Sequence, residues 1–98
     1  SGYRGDLKEI ENITLESSLV IDCKAFVIKK KIFKILTLCI LTKKRMDKEN
    51  IKSYLKKKLP SYAIPKFIFF LKKFPTNKNL KIDINKLKKI SKKNILNL

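Results

Sequence analysis

Histidine and tryptophan are absent from this chain, glycine and cysteine occur twice each, and only 8 acidic residues stand against 25 basic ones in 98 positions. Without histidine the sequence lacks the usual general base near neutral pH and the commonest metal ligand. Two cysteines, Cys23 and Cys39, cannot build a four-ligand zinc site or a disulfide framework. Zinc chemistry and His-dependent hydrolysis are therefore excluded, and no metal site is expected. Long apolar runs are missing too. The most continuous one, residues 35–41 with Thr37 inside it, is far short of the ~20 residues that a bilayer span needs. Neither a transmembrane helix nor a signal peptide is expected, and no membrane partner is expected either. Both cysteines have apolar neighbours and read as reduced core residues of a cytoplasmic protein.

What is present is lysine. Of the 25 basic residues, 23 are Lys and two are Arg (Arg4 and Arg45), for a formal charge of +17, and Lys, Ile and Asn fill 44 of the 98 positions. That is the composition of a chain encoded by an AT-rich genome, so bias accounts for much of the charge. A base-reading nucleic-acid binder would use Arg forks and exposed aromatics. Here Phe67, Phe69 and Phe70 lie in an apolar run that reads as core, so no specific nucleic-acid partner is expected. The surface favours acidic partners in general.

The length allows one domain, residues 1–98. Leu7, Ile10 and Thr14 share one face of a helix over about 8–18, with Glu9, Glu11 and Glu16 elsewhere around it. Residues 20–28 alternate as a half-buried strand, with Ile21, Cys23, Ala25 and Val27 on one side and Asp22 and Lys24 on the other. A turn falls at Lys29, Lys30 and Lys31. Residues 32–42 are apolar on both faces, as a central strand hairpinned to the previous one would be. Asp47 caps a second helix carrying Ile51, Tyr54, Leu55 and Leu59, which Pro60 stops. The run from Phe67 to Leu71 reads as another buried strand, and Pro75, Thr76, Asn77 and Asn79 mark a loop. A last helix starts near Asp83 with Ile84, Leu87 and Ile90 inward, and the tail should fray from about residue 91. Two or three strands with about three helices make an α+β domain.

Three segments, in order along the chain, carry a family resemblance. Residues 2–11, GYRGDLKEIE, resemble the GYRIELGEIE motif of the adenylate-forming enzymes, a superfamily that includes nonribosomal-peptide adenylation domains, D-alanine:carrier-protein ligases and acyl-CoA synthetases. Residues 59–65, LPSYAIP, resemble their LPxYMIP. Residues 79–83, NLKID, preceded by Pro75, resemble the NGK[IV]D element. The match spans about residues 2–88, which corresponds to the family's small, mobile C-terminal lid subdomain. The large N-terminal adenylation domain is not in this sequence, so the chain is expected to be a fragment of a larger ligase and inactive alone.

The resemblance implies two half-reactions in the full enzyme. A carboxylate attacks ATP, with Mg2+, to give an acyl-adenylate and pyrophosphate; a phosphopantetheine thiol then takes the acyl group. Lys81 is implied to be the catalytic ammonium that offsets negative charge in the first step. Gly2, Tyr3, Arg4, Gly5 and Asp6 are implied to form the hinge-side loop lining the thiol tunnel. Arg4 could contact a phosphate or buttress that loop. Pro60, Tyr62, Pro65, Asn79 and Asp83 support the motifs: the two prolines fix backbone, the apolar side chains dock their loop, and Asp83 caps the last helix.

Departures from the motifs carry their own expectations. Leu80 stands where the family has Gly, and a side chain there disfavours positive φ, so the turn should be built differently. Ile84 replaces an Arg and reads as helix core. The register of residues 6–11 and the KID ending look more like amino-acid activators loading an acyl or peptidyl carrier protein than like acyl-CoA or fatty-acyl synthetases, the nearest alternative. A free-standing basic module for nucleic acid or acidic proteins is the rival of another class.

Overall fold

Three helices begin at an aspartate, and that use of scarce acid shapes the whole surface. A computed structural model describes residues 6–96. Asp6 precedes α1 (Leu7–Leu15) and accepts the Lys8 N–H at 2.9 Å; Asp47 precedes α2 (Lys48–Lys58) and accepts the Glu49 N–H at 3.1 Å. Asp83 precedes α3 (Ile84–Leu96) and accepts the Lys86 N–H at 3.1 Å. Each cap satisfies an orphan donor and suits the positive end of the helix dipole. Glu9 and Glu49 lie in first turns as well. With so many of its 8 acids placed this way, the chain leaves most of its lysines facing water without a carboxylate.

The sheet has three strands in the order β1 (Val20–Lys30), β2 (Phe33–Thr42), β3 (Phe67–Leu71). β1 and β2 form the expected antiparallel hairpin, and β3 lies parallel to β2 after a crossover through α2. β2 is therefore central, which explains its apolar character on both faces. Leu36, Leu38 and Ile40 face a core shared with Ile10, Ile51, Leu55 and Ile68, beneath α1 and α2. Ile35 and Cys39 face a smaller core with Phe26, Ile28, Leu87 and Ile95 beneath α3. Fully buried side chains such as Ile51 and Leu55 each contribute about 1.5–3 kcal/mol. Phe67, Phe69 and Phe70 are half-buried on the edge strand rather than deep core.

Several expectations change at this level. α1 stops at Leu15, not near 18, because Glu16, Ser17 and Ser18 turn the chain so that the Val20 N–H reaches the Ser17 carbonyl at 3.1 Å. Ile21 is 51 % exposed. A bulge between Val20 and Asp22 rotates it outward and puts Val20 into the core in its place. In α3 the inward positions after Leu87 are Ser91 and Ile95, while Ile90 is 42 % exposed. The helix runs through residue 91 to Leu96.

Candidate functional site

The loop between β3 and α3 is a small closed hairpin built around one asparagine. Asn77 donates its N–H to the Lys81 carbonyl at 2.8 Å and accepts the Leu80 N–H on its own carbonyl at 3.0 Å. Its side-chain Oδ1 accepts the Asn79 N–H at 2.8 Å and the Lys81 N–H at 3.1 Å. A β-bridge between Thr76 and Ile82 and a 2.8 Å bond from the Asp83 N–H to the Pro75 carbonyl close the base. Phe74, buried, and Ile82, half-buried against the α3 core, root the loop in the domain.

Leu80 adopts φ 64 and is 84 % exposed. The expectation that leucine forces a differently built turn is therefore wrong. The four bonds to Asn77 and Lys81 hold residue 80 in the left-handed conformation that glycine would take, and the strain stays in the backbone. The sequence marks Asn77 only as a loop residue; the structure makes it the hub of the turn. The available signal was the Asn itself, whose side chain can close a turn onto the backbone N–H two residues on, whatever residue stands there.

Lys81 is exposed at the end of this turn. The ion pairs found among the described residues involve Lys8, Lys24 and Lys58, not Lys81. Its backbone is held at both N–H and carbonyl, and its ammonium extends into solvent on a four-carbon stem. Asn79, Lys81 and Asp83 thus belong to one loop, with Asp83 as the expected helix cap.

The other motif residues lie elsewhere. Pro60 and Pro65 bracket the α2–β3 connection, which contains a single 3₁₀ turn, Ser61–Ala63. Pro65 is fully buried, and the Lys66 N–H after it bonds the Leu36 carbonyl at 2.9 Å, which sets β3 beside β2. Tyr62 is 68 % exposed, so it does not dock the loop as expected; Ala63, Ile64 and Pro65 do that. Gly2, Tyr3, Arg4 and Gly5 lie outside the described residues, and Asp6 acts as the α1 cap.

Glu11, off the Leu7–Ile10–Thr14 face of α1, has a structural role. Glu11 is 4 % exposed, and its Oε2 accepts the Ala25 N–H at 2.9 Å on the outer edge of β1. Lys24 and Lys8 stand 3.6 and 3.8 Å from its two oxygens. A carboxylate with two lysines thus closes part of an edge strand that would otherwise offer a free donor.

The two cysteines are buried, and burial is the main cause that pushes the Cys23 thiol up to about 12 and the Cys39 thiol up to about 11. Glu11 and Asp22 add to the first shift, and the Ser91 hydroxyl 3.4 Å from Cys39 opposes the second. Neither is a nucleophile at neutral pH.

Residues 9–81 match the family model for the AMP-binding enzyme C-terminal domain. The chain belongs to that family. The matched stretch ends on Lys81, so the Asn77-centred loop lies inside the family pattern. The domain is 37 % identical over 82 residues to surfactin synthase subunit 2 of Bacillus subtilis strain 168, covering 84 % of this chain and 2 % of that protein. It is 30 % identical over 96 residues to the D-alanine–D-alanyl carrier protein ligase of Staphylococcus aureus strain JH9, covering 92 % of this chain and 20 % of that one. Among solved structures, a four-domain nonribosomal peptide synthetase bound to AMP and glycine matches with a TM-score of 0.75 at 26 % identity, over 81 % of this chain and 6 % of that one. Apo MatB from Rhodopseudomonas palustris shares the fold at a TM-score of 0.80 and 21 % identity, over 89 % of this chain and 18 % of that one. This AMP-binding C-terminal domain therefore spans a fifth or less of these relatives, as the C-terminal subdomain of adenylate-forming enzymes does.

Proposed function

We propose that this subdomain serves an ATP-dependent ligase that activates an amino acid as its adenylate and passes it to the phosphopantetheine thiol of a carrier protein. The observation that carries the reading is the Asn77-centred loop, which bonds the Lys81 backbone at both its N–H and its carbonyl and leaves its side chain exposed. Such a group can be carried as a unit into the active site of a large adenylation domain, where negative charge gathers as a carboxylate meets the α-phosphate of ATP. ATP supplies the AMP and the pyrophosphate leaving group, with Mg2+ on its phosphates. The residues present fit a contact to phosphate or carboxylate oxygen: an unpaired cation and a neutral asparagine turn. Residues 2–6 would take part in the thiol half-reaction, after the subdomain rotates. The amino-acid and carrier-protein assignment is favoured over an acyl-CoA synthetase because relatives at or above 30 % identity include peptide synthetases and a carrier-protein ligase.

Lys81→Ala in the ligase that contains this subdomain tests the reading. Amino-acid-dependent ATP–pyrophosphate exchange should fall by about two to four orders of magnitude, on the scale of one strong transition-state contact. Transfer from preformed aminoacyl-adenylate to the carrier thiol should stay near normal. Lys78→Ala and Lys86→Ala control for bulk charge. Unchanged exchange in Lys81→Ala, or equal losses in both half-reactions, would refute the assignment.

A further inference from the structure

The β1–β2 hairpin ends in an arrangement that neither the cores nor the Lys81 loop use. Lys30 pairs with Phe33 and Lys29 with Lys34, which leaves Lys31 and Ile32 as the two turn residues. Ile32 is 90 % exposed and Phe33 is 62 % exposed. Lys31 holds φ 57, a conformation that glycine takes at no steric cost. From Cys23 to Met46 the sequence contains no acidic residue. None of Lys29, Lys30, Lys31 and Lys34 is in an ion pair among the described residues. Behind the tip, a cavity of about 380 Å³ is lined by Lys30, Lys31, Phe33 and Lys66 over an apolar floor.

An apolar point surrounded by an uncompensated cationic collar has a specific chemical complement. We propose that the hairpin tip rests on an anionic bilayer surface, with Ile32 and Phe33 below the headgroups and the lysines on lipid phosphates. The spacing suits that layer: Lys30 stands level with its partner Phe33, and strands advance about 3.3 Å per residue, so the Lys29–Lys34 pair sits roughly 3 Å behind Phe33 and roughly 7 Å behind Ile32. Interfacial side chains lie about 5–10 Å deep at the headgroup and acyl boundary, with lysines at the phosphates. The tip is convex, which a fluid surface accommodates directly; a folded acidic protein would need a matching apolar cup. Attachment is to a surface, since no helix among the described residues is long and apolar enough to cross a membrane.

The placement also leaves the other end of the sheet free. β3 leaves the sheet at Leu71 opposite Leu41, eight residues along β2 from Phe33, or about 26 Å. The chain enters the Lys81 loop from that far end. The inference does not depend on the ligase reading.

The absence of tryptophan makes Phe33→Trp a unique fluorescent reporter, with Tyr62→Trp, on the α2–β3 connection, as its control. With vesicles of phosphatidylcholine plus phosphatidylglycerol, Phe33→Trp emission should shift blue and be quenched by brominated acyl chains, while Tyr62→Trp should show neither. Ile32→Ser/Phe33→Ser keeps every charge and should weaken vesicle sedimentation by about tenfold or more. Sedimentation of the unmodified chain provides the reference should a tryptophan variant fail to fold. The proposal is overturned by sedimentation equal to the parent in the double serine variant, by an unquenched Phe33→Trp, or by no binding to anionic vesicles. A blue shift with polyglutamate or an acidic protein, but not with vesicles, would assign the tip to an acidic protein instead.

Discussion

Replacing Leu80 with glycine should make the domain more stable, although it deletes a large apolar side chain. That side chain is 84 % exposed, so its removal forfeits little burial. Its backbone at φ 64 costs roughly 1–2 kcal/mol for a residue with a Cβ, a cost that glycine avoids. Against this, glycine adds about 0.5–1 kcal/mol of freedom to the unfolded chain. The difference is a gain of about 0.5–1 kcal/mol. The hydrogen bonds that close the loop, from the N–H groups of residues 77, 79, 80 and 81, survive the change because they use backbone and the Asn77 side chain. Urea unfolding should show a midpoint higher by about 0.3–0.7 M at an m value near 1.5 kcal/mol per M, with m unchanged. Leu80→Ala separates side chain from backbone: it keeps the Cβ and should leave stability within about 0.5 kcal/mol of the parent. Leu80→Val, β-branched, should lose about 1 kcal/mol or more. A Leu80→Gly protein less stable than the parent would show that residue 80 is not strained in the folded chain and would refute the turn geometry.

Other consequences are equally direct. Glu11→Ala should cost about 2–3 kcal/mol in chemical denaturation, mostly from the buried Ala25 N–H left without an acceptor, while Glu11→Gln should recover much of it. The lysine pairs of Glu11 contribute less, since Lys8 and Lys24 are 73 % and 35 % exposed. Both thiols titrate higher in the folded chain than their ordinary 9.0, so the folded state keeps protons that the unfolded state loses. Their contribution is whole below pH 9 and declines as pH rises toward 11 for Cys39 and 12 for Cys23. Thiol titration with a disulfide reagent at pH 8 should find neither group reactive until denaturant unfolds the chain; prompt reaction would contradict their burial. If the +17 charge serves an acidic carrier protein, carrier association in stopped-flow should slow markedly as salt rises while adenylation responds less. Salt-independent loading would leave the charge without that use.

How much of this was legible without coordinates depends on the range of the interactions involved. Helix starts at Asp47 and Asp83 were readable because a cap joins residues two or three apart. The hairpin and its central strand were readable because β2 is apolar on both faces, and the family was readable from three short motifs in order along the chain. The position of Lys81 in its motif was legible too, but the conformation of its loop was not, since the bonds to Asn77 hold Leu80 at a positive φ that a side chain by itself disfavours. Tertiary structure alone decided the rest. Nothing local says that Ile21 will face water; that follows from a bulge in its pairing with β2. Nothing in the helical spacing of α3 chooses Ser91 and Ile95 over Ile90, because the inward face is set by where Ile35, Cys39 and Phe26 stand on the sheet. Nothing local separates Glu11 from Glu9 and Glu16; its burial follows only once folding brings the Ala25 N–H, fourteen residues along the chain, against its carboxylate. Side-chain periodicity and capping act within a turn or two of chain, whereas strand register and the satisfaction of buried polar groups are settled between elements distant in sequence, and only the packed structure brings those together.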